Sequence, residues 1–205
     1  MFGKVAADVL GTSDIGMVIK PADYNKVDSD DYVMHEEGEK IYFLIKSKSD
    51  EYCFTNQALV HLDGTSAMSK KRMLKRYSYA RNLVGEVFLE TAGTLDRDVE
   101  IKFSIGDQKF SIDVQKSFIS ELKDLYKALI KIAEIQHENT VSQQHAQQSI
   151  ATAVNAVGKI TNRTESDLSE TFKTVNQYAF DWMQQSRAQY VVHDFGKVYE
   201  KFINN

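Results

Sequence analysis

The stretch VEIKFSIGDQKFSIDV, residues 99–114, alternates apolar and polar side chains on either side of Gly106–Asp107. Val99, Ile101, Phe103 and Ile105 before that pair, with Phe110, Ile112 and Val114 after it, give each arm of a hairpin one apolar face. From Lys116 the spacing changes. Phe118, Leu122, Leu125, Leu129 and Ile132 recur at three and four residues, and Ile119, Tyr126, Ile130 and Ala133 widen the stripe. A sheet with one wet face that runs straight into a broad amphipathic helix is a strong constraint, because the helix has to cover apolar sheet.

Five further extended segments precede the hairpin, at residues 41–47, 51–55, 58–63, 68–77 and 84–90. Seven strands with short connections and no helix between them predict a meandering antiparallel barrel or sandwich, with the helix (N-capped by Ser117) at its open end. The opening is irregular, marked by Gly11, Gly16, Gly38 and the single proline, Pro21. Short helical pieces are expected near residues 4–10 and after Pro21.

Beyond Glu138 the texture changes again. Residues 139–158 are uncharged and rich in Ala, Gln, Asn and Ser, with small apolar residues at Ile150, Val154 and Val157. A capping box at Thr164 and Asp167 predicts a second helix, whose stripe is Leu168, Phe172, Val175, Ala179 and Trp182. A third stripe reads Val191, Phe195, Val198 and Phe202. Narrow seams of this kind pack helix on helix, and a bundle of about 65 residues with so few large core residues is marginal alone. The chain of 205 residues therefore reads as two parts, 1–138 and 139–205, the second burying its stripes against other copies.

Charge is unevenly placed in a chain of net charge −4. Lys70, Lys71, Arg72, Lys75, Arg76 and Arg81 cluster with no carboxylate between Asp63 and Glu86, and acidic segments flank them. The cluster is a candidate contact for an anion, a lipid headgroup or another subunit. Net acidity argues against duplex nucleic acid as the main partner. As a strand, Arg72, Leu74 and Arg76 share one face with Lys70, while Lys71, Met73, Lys75 and Tyr77 share the other. Charge on both faces describes an edge strand guarded against stray pairing.

The words DDYVMHEEGEKIYFLIKSKSDEYCFTNQALVHLDG, SKKRMLKRYSY, VFLETAGTLDRDVEIKFSIGDQKFSIDV and LKDLYKALIKIAEIQ resemble the bacterial PH domain family, in particular its members of the YvbH type. The residues from about 140 resemble the YvbH-like oligomerisation region. The resemblance implies an α+β, PH-like split barrel of seven strands in two antiparallel sheets, capped by an amphipathic helix and followed by an all-α region. It also implies ring-shaped homo-oligomers and brings no catalytic residues. The eukaryotic phosphoinositide pattern is hinted at by Lys46 and Lys48, but Asp50 and Glu51 follow directly and would repel a polyanionic headgroup.

Other chemistry finds little support. The histidines at 35, 61, 137, 145 and 193 lack metal-ligand spacing. The acidic stretch around Asp28, Asp30 and Asp31 lacks the glycine and closing glutamate of a calcium loop, and reads as a solvated connector. Cys53, the single cysteine, has His61 as its nearest candidate base, and reads as a packed thiol rather than a nucleophile. Neither a metal nor a cofactor is implied. The absence of a signal-like N-terminus and the lone cysteine point to a cytoplasmic protein, with peripheral contact to an anionic membrane as a second possibility.

The expectation is a non-catalytic assembly module with an unknown protein partner. Ile150, Val154, Val157, Leu168, Phe172, Val175, Trp182, Phe195 and Phe202 are the candidate oligomer interface.

Overall fold

The computed structural model describes residues 14–64, 72–91, 98–159 and 165–203. The expected helix near residues 4–10, the Thr164 cap, Lys70 and Lys71 lie outside these.

Two antiparallel sheets carry the first half of the chain. One holds β1 (Met17–Val18), β2 (Ile41–Lys46), β3 (Glu51–Thr55), β4 (Ala58–Gly64) and β5 (Arg72–Ser78) in that spatial order. The other holds β6 (Val84–Glu90), β7 (Asp98–Ile105) and β8 (Gln108–Gln115). The seven strands read from the sequence are all present, and the two-residue β1 joins them at the edge beside β2. A parallel bridge between Gly16 and Val114 ties that edge to β8.

The β7–β8 hairpin has the register its alternation predicts, with Val99 opposite Val114, Ile101 opposite Ile112 and Phe103 opposite Phe110. Its turn needs Gly106 at a φ of 58°. Thr55 makes the β3–β4 turn by accepting the N–H groups of Gln57 and Ala58 on its hydroxyl. Phe43, Ile45, Phe54 and Leu59 of the first sheet are buried, as are the inward residues of β7 and β8. Phe54 meets Phe103 across the sheets at 5.8 Å.

Three helices complete the chain: α1 (Ile119–Gly158), α2 (Glu165–Tyr190) and α3 (Gly196–Phe202). The predicted stripe is the buried one, with Leu122, Leu125, Ala128, Leu129 and Ile132 fully enclosed. The entry differs from the expected Ser117 cap. A 3-10 turn, Lys116–Phe118, precedes α1 and encloses Ser117, so the chain is already helical there.

The first sheet is covered on its other face too. Leu44, Cys53, Val60 and Leu62 pack against Ile19, Val27 and Val33. The last two are carried by 3-10 turns at Pro21–Lys26 and Asp28–Tyr32. The stretch expected to be a solvated connector is therefore a packed layer, pinned by its two valines, and its Ser29 is wholly buried.

The chain divides into two compact units. Met1–Glu134 together with His193–Asn205 form one, and Ile135–Val192 form the other. The first junction lies close to the expected boundary at residue 138. Residues 193–203, expected to continue the helical region, belong instead to the sheet unit, because their large side chains find cover there: Phe195, Tyr199 and Ile203 are buried.

Candidate assembly and ligand surfaces

Of the basic cluster, Arg72, Lys75 and Arg76 lie on β5, which among the described residues pairs only with β4 and so forms an edge of the five-stranded sheet. Pairing in register puts Arg76 opposite Val60, Leu74 opposite Leu62 and Arg72 opposite Gly64, on the face covered by the 3-10 layer. Two carboxylates are sequestered there. Glu39 and Glu51 are each 1% exposed, and a buried carboxylate is tolerated only when its charge and lone pairs are met.

The arginines meet them. Arg76 donates from Nη2 to Glu39 Oε1 at 3.0 Å, while the N–H of Met34 donates to Glu39 Oε2 at 2.8 Å and the Thr55 hydroxyl also donates to this carboxylate. Glu51 accepts Lys46 Nζ and, at 2.8 Å, the N–H of Ser29. Arg72 Nη1 stands 3.9 Å from Glu51 and pairs with Asp28.

On the opposite face of β5, Lys75 donates to Asp63 at 2.6 Å, which holds its ammonium above the usual range. Arg81 is exposed in the turn after the strand. Three of the four described cluster cations are thus engaged by carboxylates of their own unit. Sequence reasoning missed Glu39 and Glu51 as partners; the signal available was a carboxylate at each end of strands that otherwise read as core.

Beside Lys75, Asp50 closes the β2–β3 turn. Burial pushes its carboxyl up, but bonds from His61, Ser49 and the Gly64 N–H outweigh this and leave it below the ordinary value of 3.8. His61 approaches it at 3.1 Å and stacks on Tyr52 at 4.3 Å. Burial pushes the Cys53 thiol up, away from thiolate chemistry. Among the described residues no group of His, Cys, Asp and Glu could hold a metal ion.

The unit Ile135–Val192 is built differently. Trp182 Nε1 donates to the Ala146 carbonyl at 3.1 Å, joining α2 to α1. Gln143, Gln147, Trp182, Met183 and Ser186 line a cavity of about 280 Å³ between them. Ile150, Val157, Val175 and Trp182 of the candidate interface are half-buried, and among the described residues of this unit no apolar side chain is fully buried. Phe172 is 72% exposed and Tyr178 62%, with Leu168, Phe180, Met183 and Val154 also exposed.

The other two candidates sit elsewhere. Phe195 is buried edge-on against Tyr79 in the sheet unit, and Phe202 is half-buried there beneath Lys201. Both are covered within the sheet unit, because helical spacing specifies a face but not the element that covers it.

Around Phe195 the sheet unit forms a groove from Tyr42 on β2, Asn56 in the β3–β4 turn and Tyr79 after β5. Tyr199 stacks on Tyr42 with centroids 5.3 Å apart, and its hydroxyl lies 2.7 Å from that of Tyr79. Tyr42 donates to Glu200 at 2.9 Å; burial first, and then that carboxylate, push its phenol up to about 12. No helix among the described residues is long and apolar enough to cross a membrane.

Known proteins share this plan. Residues 9–133 match the family model described as the bacterial PH domain, and residues 144–205 match the YvbH-like oligomerisation region. The uncharacterized protein YvbH of Bacillus subtilis (strain 168) is 54% identical over 205 residues, all of both chains. The crystal structure of a PH-domain-containing bacterial protein from Exiguobacterium sibiricum 255-15 superposes with a TM-score of 0.84 at 51% identity, covering 93% of this chain and 100% of that one. With the split sheets, the covering helix and these matches, the chain belongs to the bacterial PH domain family.

Proposed function

We propose that the chain is a non-catalytic assembly module, a PH-like unit that copies of itself join through Ile135–Val192 and that presents a protein-binding surface in the cytoplasm. One observation carries this reading: the helical unit leaves Leu168, Phe172, Tyr178, Phe180 and Met183 exposed while fully burying no described apolar side chain. Apolar surface returns about 25 cal/mol per Å² when removed from water, so a solvated patch of such side chains marks an interaction site. The likeness of residues 144–205 to an oligomerisation region supports a second copy as the occupant. A closed ring follows if the contact is head-to-tail and its rotation closes.

The basic strand then has a structural part. Arg76 neutralises Glu39, Arg72 pairs with Asp28, and Lys75 with Asp63 keeps the edge charged. Among the described residues of the cluster, this leaves Arg81 for an anionic lipid.

Sedimentation of the full chain at micromolar concentration tests the assembly. Wild type should run as an oligomer, and Phe172→Glu with Phe180→Glu should run as a monomer with unchanged far-UV circular dichroism. A monomeric wild type would sink the proposal.

A further inference from the structure

Residues 193–203 occupy the groove of Tyr42, Asn56 and Tyr79 as a bound peptide would. The Asn56 carbonyl accepts the N–H of Phe195 at 2.8 Å, and the Asn56 side chain donates to Asp194 at 2.6 Å. Asp194 in turn accepts the N–H of Gly196 at 2.7 Å, which starts α3. Phe195, Tyr199 and Ile203, four residues apart, then present one helical face to the sheet unit. Gly196 suits the fit, since a Cβ there would lie 2.8 Å from the Tyr42 hydroxyl and 3.0 Å from Asp194 Oδ1 and would have to displace those side chains. Recognition is complete within about ten residues and uses one backbone bond, a side-chain bond from Asn56, two aromatic anchors and close packing at Gly196.

This segment reaches its groove only by way of Ile135–Val192, which forms a compact unit of its own. Where that unit ends, α2 has stopped at Tyr190 and residues 191–195 carry no helix. A short irregular stretch between a compact unit and a docked segment can absorb a hinge change. Every contact the segment makes in its own groove is available, atom for atom, in the groove of a second copy. Local concentration therefore decides which groove it fills.

We propose that the groove of Tyr42, Asn56 and Tyr79 is a peptide-recognition site whose occupant in the assembly is residues 193–203 of a second copy. This rests on the self-association proposed above, which brings the grooves and segments of several copies together.

The test uses the full chain with p-benzoylphenylalanine in place of Gln57, beside the groove. Equal amounts of ¹⁴N- and ¹⁵N-labelled protein are mixed in urea, refolded together, irradiated and digested. The expected result is cross-linked peptides joining position 57 to residues 193–203, close to half of them pairing one isotope with the other. The Gly196→Val variant should lose these links. An oligomer by light scattering whose links all join like isotopes overturns the exchange while leaving self-association standing. A monomer by light scattering overturns both. Links that persist undiminished in Gly196→Val overturn the recognition site itself.

Discussion

The sheet unit and the helical unit solve the same problem in opposite ways. In the first, Phe43, Leu44, Ile45, Phe54, Leu122 and Leu125 are almost wholly withdrawn from water, and even the carboxylates of Glu39 and Glu51 are enclosed with their counter-charges. In the second, among the described residues, only Gln136 and Ser186 are buried, and both are polar. One chain therefore combines a fully packed core with a region whose apolar side chains stay largely exposed. Helical periodicity is present in both, so periodicity alone does not tell them apart. The difference lies in how far the stripe is covered: Leu122, Leu125, Leu129 and Ile132 are wholly enclosed, whereas Ile150, Val157, Val175 and Trp182 are half-buried.

Substitutions can break or sharpen this contrast. The largest effect belongs to the sheet core. Phe54→Ala should destabilise the protein by roughly 3–5 kcal/mol in urea unfolding, whereas Phe172→Ala should change the midpoint of a dilute sample by under about 0.5 kcal/mol. Comparable losses at the two positions would erase the distinction. Next comes Arg76→Met, which leaves Glu39 buried without its cation. The expected cost is about 3 kcal/mol, partly recovered when Glu39→Gln is added, and a double-mutant cycle measures the coupling.

Smallest and pH-dependent is Asp50→Asn. The folded carboxyl of Asp50 titrates below its ordinary value of 3.8. Its contribution is therefore complete above that value and is lost as the pH falls through the lower, folded value. Urea midpoints of wild type should drop more steeply than those of Asp50→Asn below about pH 4; parallel curves would remove Asp50 from the account.

Much of the sheet unit was legible in the residues themselves. Alternation in 99–114 specifies both strands, their register and their inward face, because a one-residue slip would turn Ile101 and Ile112 to water. The stripe from Leu122 to Ile132 is equally direct. The charges of Arg72 and Arg76 were legible as those of an edge strand, but their partners were not. Asp28, Glu39 and Glu51 lie on a 3-10 turn, a loop and another strand, and no local pattern encodes a pairing across such separations.

The contacts of segment 193–203 were not legible for a related reason. Val191, Phe195, Val198 and Phe202 make a plausible helical seam, yet the helix starts only at Gly196 and the buried set is Phe195, Tyr199 and Ile203. The irregular stretch before it shifts the face by one position.

The placement of Phe195 and Tyr199 in the sheet unit also has a consequence in time. A ribosome makes residues 135–192 after the sheets and the first part of α1, residues 119–134, and before the segment that fills the groove. At about 5–20 residues per second, that interval is on the order of several seconds. Throughout it Tyr42, Asn56 and Tyr79 lack the segment that fills their groove. The unit is thus last to close around the residues made furthest from it, and its maturation is timed by the length of the insert rather than by the speed of its own folding.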